Sequence, residues 1–293
     1  MSIYQIINII ISAIALGSIY TAISVGLSLC WGTIRIFNFA QGVLLTVGAY
    51  LAWYLGVYLN MFQFSYLVVI IIVCSVMFGF GWVLEKVLVE PILERKNIMT
   101  LAILTTLLAS IFLQNSIQLI FGPRSKQLPK TIEGVANFGG YIIEYHKLVI
   151  ILIVPFVLFG FWFFLRKTRI GMALRSVEQN REAALLMGIN VKWIYSLSFG
   201  ISTSMAAFGG IVLSSIYTLM PSIGTDPLMK AFIIVVLGGL GSFGGTIFAC
   251  YMVALVEIFS NYFIGLFWTP VILFVLMILV LILKPTGFMG EVE

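Results

Sequence analysis

The sequence predicts an all-α, polytopic integral membrane protein with eight or nine transmembrane helices. Three observations support this fold class: 61% of the 293 residues are hydrophobic, only 9% are charged, and long apolar runs recur along the whole chain. Soluble domains carry about 25% charged residues, and a spanning helix needs about 20 predominantly apolar residues. We therefore expect residues 1–293 to form a single transmembrane domain.

Polar breaks divide the apolar runs into the expected spans. The first six spans are expected at residues 6–29, 42–58, 66–84, 100–121, 148–165 and 194–219, and the last two at 246–264 and 268–283. Residues 228–237 form a short run before a glycine cluster at 238–245. This run is expected to be either a re-entrant half-helix or the first half of a broken span.

The polar segments between the spans indicate the orientation of the chain. A charged turn is expected at 85–97, a polar loop at 122–147, and a charged segment at 166–193. The segments on the side of residues 166–193 hold Arg35, Lys86, Arg95, Lys96, Arg166, Lys167, Arg169, Arg175, Arg181, Lys192 and Lys284. The other side holds Arg124, Lys126, Lys130, Lys147 and Lys230. Because basic residues collect in cytoplasmic loops, we expect an extracytoplasmic N-terminus, an extracytoplasmic loop at 122–147 and a cytoplasmic C-terminus.

Several classes of function are disfavoured by the residues present. The chain has one histidine, three cysteines without a CxxC pair, and a single aspartate, Asp226. This set favours neither a metal site nor an intramembrane enzyme. The glycine cluster lacks the lysine of a GxxxxGK[ST] nucleotide loop. No basic run with interleaved aromatic residues indicates nucleic-acid binding. We expect no metal, no cofactor and no catalysis in this chain.

The charged segment at 166–193 has the pattern of a short amphipathic helix. Its apolar residues Leu174, Val177, Ala184 and Leu185 fall approximately on one helical face. Gly188, followed by Asn190, is typical of a helix end. From the pattern alone, the segment is either a solvated connector on the lipid headgroups or an element that docks on a partner.

A few polar or glycine positions inside the apolar regions are candidates for a translocation path. They are Asn38, Gln41, Gly239, Gly241 and Glu257. Polar groups at membrane depth need a protein partner or a water-filled cavity. Each also has a structural alternative: Arg35 as a topology charge with Asn38 as a helix N-cap, the glycines as packing positions, and Glu257 as the partner of Lys230.

Four stretches resemble the permeases of the branched-chain amino acid ABC importer family. TRIGMALRSVEQNREAALLMGINV, at residues 168–191, resembles the cytoplasmic coupling loop of that family. Residues 26–53 resemble its first signature and residues 235–249 its glycine-rich second signature. LKPTGFMG, at 283–290, resembles its cytoplasmic end. The resemblance thus covers nearly the whole chain.

The resemblance implies a set of roles and partners. The coupling residues would be Gly171, Leu174, Arg175, Val177, Asn180, Ala183, Ala184, Leu185, Gly188 and Ile189. ATP would be used by two cytoplasmic ABC ATPase subunits, and an extracytoplasmic binding protein would deliver the substrate. A sister permease subunit or a second copy of the chain would complete the path in a bacterial or archaeal plasma membrane.

The chain departs from the family pattern at Gln41 and Val43, which replace a usual histidine and glutamate. The role of that polar pair is therefore not carried over to this chain. Urea and short-amide importers share this permease family, so the resemblance implies a branched-chain amino acid or a related small polar solute, with urea or a short amide as the alternative. A stand-alone secondary transporter or channel is the alternative function.

Overall fold

The computed structural model describes residues 3–63, 65–129, 134–138 and 141–290. Its α-helices are α1 (Ile3–Ile34), α2 (Gln41–Trp53), α3 (Tyr66–Leu84), α4 (Ile98–Phe121), α5 (Tyr145–Lys167), α6 (Arg169–Gln179), α7 (Arg181–Leu186), α8 (Val191–Ser214), α9 (Thr225–Gly238), α10 (Phe243–Phe263) and α11 (Thr269–Leu283). Strands β1 (Val135–Phe138) and β2 (Tyr141–Glu144) form an antiparallel hairpin. The predicted all-α fold class is confirmed, with this hairpin as a small addition inside the loop expected at 122–147. Residues 130–133 and 139–140 of that loop lie outside the described part.

The protein is a multi-pass membrane protein. Within the described ranges, six helices have the length and apolarity to cross a bilayer: Ile6–Ile34, Tyr66–Ile92, Ile98–Phe121, Leu148–Lys167, Val191–Ser214 and Phe243–Phe263. Helix α11 is apolar but shorter, and α2 and α9 have only 13 and 14 residues. The expected total of eight or nine spans therefore stays a prediction.

Helical structure continues beyond the end of α3, further than the sequence predicts. A π-helical turn (Glu85–Val89) and a 3₁₀ turn (Glu90–Ile92) continue it through the stretch predicted as a charged turn. Glu85 is buried, and its Oε2 accepts a hydrogen bond of 2.5 Å from the Ser196 hydroxyl of α8. The turn prediction was therefore wrong for residues 85–92, where the helix continues and Glu85 packs against α8, whereas residues 93–97 do form a turn.

Two ends of the helix bundle can be distinguished by following α5. The hairpin precedes α5 directly and α6 follows it, so we name the two ends the hairpin side and the α6 side. Helix α1 ends on the α6 side, since its Gly32 lies against Glu178 of α6. Helix α8 begins on the α6 side and runs back towards the hairpin side.

Helices α1 and α8 form the centre of the bundle. Most of α8 is buried, and the two helices meet through small and hydroxyl-bearing residues, which allow close approach in an apolar solvent. The Thr33 and Ser198 hydroxyls are 2.6 Å apart across this contact. The α1–α8 contact therefore combines close backbone approach with fully buried large side chains, such as Ile23 of α1 and Phe199 of α8.

The segment between α1 and α2 turns back into the bundle. After Ile34, the chain brings Gln41 to Ser202, where the Gln41 Nε2 donates to the Ser202 carbonyl at 3.2 Å. Ser202 lies roughly 16 Å along α8 from its start, at about 1.5 Å per residue. Helix α2 therefore begins deep inside the bundle and runs outward, where the ring of Tyr50 lies 5.0 Å from that of Phe121.

A second inward segment precedes α9, and it approaches from the opposite side. Leu219 pairs with Lys126 through two backbone hydrogen bonds of 2.9 and 3.0 Å near the end of α4. Five residues later, the chain reaches Gly224, whose carbonyl would lie 2.5 Å from any Cβ placed on Gly42. The starts of α2 and α9 thus touch inside the bundle. A re-entrant or broken span was expected only around 228–237, but both α2 and α9 begin inside the bundle.

The close helix contacts give a stability test. A methyl group on Gly48 of α2 would overlap Ala207 of α8, whereas nothing lies within 4 Å of the same position on Gly79 of α3. We expect Gly48→Ala to lower the free energy of unfolding by about 2 kcal/mol, through overpacking. Thermal unfolding of the purified chain in detergent measures this effect.

The matched control is Gly79→Ala, which adds the same methyl group to an exposed face of a membrane helix and should leave the melting midpoint unchanged or slightly raised, because alanine favours the helix over glycine. Equal midpoints for the two variants would contradict the close α2–α8 contact.

Candidate functional site

The charged segment at 166–193 forms two short helices, so the expectation of one continuous helix was wrong. The Thr168 Oγ1 caps α6 by accepting from the Gly171 N–H at 3.0 Å. The Asn180 Oδ1 then caps α7 by accepting from the Ala183 N–H at 2.9 Å. Asn180 has an extended backbone and favours a new cap over continuing the helix. Gly188 follows α7 at φ 82°, as expected for a residue just beyond a helix end.

One face of the α6–α7 segment attaches it to the rest of the chain. Leu174, with 1% of its surface exposed, lies in the chain's own core with Val177 and Ala184. Ile189 packs against the same core, and Gly171 lies against the Leu165 carbonyl so closely that a side chain would not fit. Three positions of the predicted coupling set therefore bury their side chains inside this chain, Ile189 is partly buried, and Gly171 makes the close backbone approach.

The exposed face of the segment contains a second apolar group. Leu185 is 51% exposed, Leu186 89% and Met187 83%; we call these three residues the Leu185–Met187 step. Arg175, Asn180 and Ala183 are also exposed, and Arg175 donates to the Arg166 carbonyl at 3.4 Å. Periodicity missed Leu186 and Met187 because they lie off the apolar stripe, although three consecutive large apolar residues in a charged segment were visible.

Asn38 and Gln41 lie completely buried between α1, α2 and α8. The Asn38 Nδ2 donates to the Gln41 Oε1 at 3.4 Å, and the Ser202 hydroxyl donates to the same oxygen at 3.2 Å. The Asn38 Oδ1 accepts from the Ala40 N–H at 3.0 Å, while the N-cap residue of α2 is Ala40 itself. The alternative of Asn38 as N-cap was therefore wrong. Both side chains hold the inward segment against α8.

A cavity of about 150 Å³ lies where the starts of α2 and α9 meet α4. Gly42 and Gly224 line it with their backbones, and Phe39, Leu107 and Leu228 give it apolar walls. Its polar side chains are Thr46 of α2, Ser110 and Gln114 of α4, and Thr225 of α9. Sequence reasoning missed the two α4 residues, although their spacing of one helical turn inside an apolar span was a usable signal.

The glycine cluster at 238–245 forms a tight turn between α9 and α10. Gly239 and Gly241 have φ of 99° and 85°, which favour glycine. The C-terminal tail covers the end of α9, since the Phe288 N–H donates to the Leu237 carbonyl at 2.8 Å and the Met289 N–H to the Gly238 carbonyl at 3.1 Å. Gly239 is buried against this tail, and Gly241 lies beside Gly32 of α1.

Glu257 lies buried on α10 in a charged network. Its Oε1 is 2.7 Å from the Lys230 Nζ of α9, and its Oε2 accepts from the Tyr20 hydroxyl of α1 at 2.7 Å. Lys230 also contacts the exposed Asp226 at 2.9 Å. Burial, with the charge of Glu257 adding to it, raises the pKa of the nearby Tyr217 hydroxyl. The structural alternative for Glu257, pairing with Lys230, is the arrangement observed.

Known proteins similar to this chain are transport components. The family model described as branched-chain amino acid transport system / permease component matches residues 9–281. The chain is 32% identical to the high-affinity branched-chain amino acid transport system permease protein LivH of Salmonella typhimurium, covering 96% of this chain and 94% of that protein. It is 30% identical to BraD of Pseudomonas aeruginosa, which carries the same description, covering 99% and 98%.

A more distant relative comes from an archaeon. The chain is 24% identical to the probable branched-chain amino acid transport permease protein LivH of Methanocaldococcus jannaschii, covering 95% of this chain and 90% of that protein. No solved structure matches the chain.

The Lys230–Glu257 pair predicts a specific pattern of stability changes. Lys230→Met leaves the Glu257 charge buried without its ammonium partner, which costs about 3 kcal/mol. The double variant Lys230→Met/Glu257→Gln should recover most of this loss, because no uncompensated charge remains. Thermal unfolding in detergent measures all three proteins.

Asp226→Asn serves as the control, since the Asp226 side chain is exposed and exposed pairs contribute about 0–1 kcal/mol. If the double variant is no more stable than Lys230→Met, the pair does not act as a unit in the folded protein.

Proposed function

This chain belongs to the branched-chain amino acid transport system / permease component family, and from that premise we propose how it carries its solute. Like its relatives, it is a membrane-spanning permease component and not an enzyme. No group of three His, Cys, Asp or Glu side chains able to hold a metal occurs among the described residues. The proposed cargo is a branched-chain amino acid or a related small polar solute.

The proposed energy source is ATP hydrolysis on two cytoplasmic ABC ATPase subunits. The observation that carries this proposal is the Leu185–Met187 step: its last two residues are more than four-fifths exposed on a charged segment between two spans. Apolar groups at such a position mark an interaction site. In this proposal an ATPase covers the step, the α6 side faces the cytoplasm, and the hairpin side receives solute from an extracytoplasmic binding protein.

The attachment of the segment supports a mechanical role. Because Leu174, Val177 and Ala184 lie in the chain's own core, a push on the exposed face moves the packed helices with it. Closure of two ATPases on ATP would then switch a pair of permease chains, identical or sister subunits, between outward-facing and inward-facing states. No covalent step takes place in this chain.

The proposed path passes the cavity between α2, α4 and α9. Transporters place substrate sites where broken helices meet inside the membrane, and here Gly42 and Gly224 mark such a meeting. The hydroxyl and amide groups of Ser110 and Gln114 face apolar walls across the cavity, which suits a small solute with both polar and apolar parts. In this proposal the walls of the path are held in position by Asn38, Gln41 and Glu257. The end of the path on the α6 side is shaped by the turn at Gly241.

The alternative is a stand-alone secondary transporter. It is distinguished by solute uptake into liposomes that contain this chain without any ATPase. ATP-dependent uptake only in the presence of the ATPases favours the importer.

Docking on the ATPase is tested by Leu186→Asp/Met187→Asp. Both side chains are exposed, so the charges should leave the fold intact and weaken ATPase association at least about tenfold, as for an interface hot spot. Co-purification and ATP-dependent uptake with the organism's own ABC ATPases measure the effect. Leu174→Asp is unsuitable, because it would bury a charge in the core.

Gln179→Asp is the matched control, since it adds a carboxylate to an exposed position of the same segment. If the double variant binds the ATPase as well as the unmodified chain does, the Leu185–Met187 step is not part of the ATPase interface.

The path is tested by Ser110→Ile, which fills part of the cavity. We expect uptake to fall about tenfold while ATPase association persists, since a misplaced solute loses productive geometry. Ser75→Ile makes the same change on α3, where the hydroxyl is exposed and bonded to its own helix at 2.8 Å. Equal uptake by the two variants would place the path elsewhere.

A further inference from the structure

The side chain of Glu178 in α6 lies near two places where membrane helices end: the end of α1 and the turn between α9 and α10. Its carboxylate lies against Gly32, near the end of α1, where a Cβ would overlap the Oε1 and lie 3.0 Å from the Cδ. The same Oε1 would lie 3.2 Å from a Cβ on Gly241 of the α9–α10 turn, which also lies against the Gly32 backbone. A side chain from the α6–α7 segment is therefore inserted between α1 and the glycine turn.

The surroundings of Glu178 are open on two sides. One cavity of about 450 Å³ lies towards the C-terminal tail, and another of about 490 Å³ lies towards the start of α4. Glu178 and Arg35 line both cavities. Arg35 has φ of 58°, a conformation uncommon for a residue other than glycine. The two side chains thus stand at the boundary between the two cavities on the α6 side.

The positions that Glu178 touches lead directly into the two interrupted elements. Gly32 lies just before the inward segment that ends at Gln41, and Gly241 lies just after α9. Those two elements meet at Gly42 and Gly224 beside the interior cavity. A displacement of α6 can therefore reach both walls of that cavity, through the inward segment that follows Gly32 and along the whole length of α9, since close-packed groups transmit displacement rather than absorb it.

We propose that Glu178 is a positioning residue that transmits movement of the α6–α7 segment to the end of α1 and to the glycine turn, and so to the interior cavity. The proposal rests on the proposed function, because it assumes that an ATPase moves the segment. Glu178 is not among the site residues that the sequence predicts. The resemblance did not include it among the coupling residues.

The test compares solute transported per ATP hydrolysed, in proteoliposomes that contain the chain, its ATPase subunits and its binding protein. We expect Glu178→Gln and Glu178→Ala to keep ATPase association and hydrolysis but to lower this ratio about tenfold. Glu94→Gln is the control, since Glu94 is an exposed carboxylate on the α6 side, 3.3 Å from Lys192. A ratio equal to that of the unmodified chain in both Glu178 variants would overturn the proposal.

A second pair of variants addresses the contact itself. Gly32→Ala should lower the coupling ratio and the melting midpoint, the latter by roughly 3 °C, because the new methyl group displaces the carboxylate. In the double variant Gly32→Ala/Glu178→Ala the midpoint should recover, as the space is vacated, while the ratio stays low. Recovery of both, or of neither, would show that Glu178 does not act through Gly32.

The two proposals fail in different ways. If the unmodified chain shows no ATP-dependent uptake with these partners, the proposed function is wrong. If it does and the Glu178 variants remain fully coupled, only the role of Glu178 is wrong.

Discussion

The constraint on which the rest of this structure depends is the need to satisfy backbone polar groups away from water. In an apolar solvent an irregular segment is tolerated only where protein surrounds it. Two such segments enter the bundle, before α2 and before α9. The first is held by the amide of Gln41 on the Ser202 carbonyl, and the second reaches the backbone of Gly42 through Gly224. Helix α8 packs against α2, which follows the first segment, and α1 packs against α9, which follows the second.

The same constraint explains the C-terminal tail. A helix that ends inside protein leaves carbonyl groups without partners, and α9 ends at Gly238 against the start of α10. The backbone of Phe288 and Met289 supplies donors to those carbonyls. The tail is therefore part of the transmembrane domain, and the glycine turn is held from both sides: by the tail at Gly239 and by Glu178 at Gly241.

Among the described residues two carboxylates are buried, and each has a partner on another helix, although the Oε1 of Glu85 accepts no hydrogen bond. Glu257 has an ammonium and a phenol hydroxyl within 2.7 Å, and Glu85 has the Ser196 hydroxyl. Both carboxylates join helices that are distant in sequence, so they fix the relative positions of α1, α9 and α10 and of α3 and α8. The moving part of the proposed mechanism, the α6–α7 segment, carries its charges mostly on an exposed face, while Glu178 reaches inward to Gly32 and Arg181 lies over the ring of Tyr195.

The sequence by itself determined the membrane environment, the all-α class, the positions of most spans and the family, because these follow from composition, hydropathy and a motif of two dozen residues. It also identified Glu257 and Gln41 as candidate site residues, and the structure places them in contact with Lys230 and Ser202. Only the tertiary structure decided that Leu174 faces inward while Leu186 faces outward, since the break at Asn180 rotates α7 relative to α6 and periodicity assumes one continuous helix. Only the tertiary structure placed Ser110 beside Gly224 and Glu178 beside Gly32, because contacts between residues so far apart in the chain arise from packing and leave no local pattern.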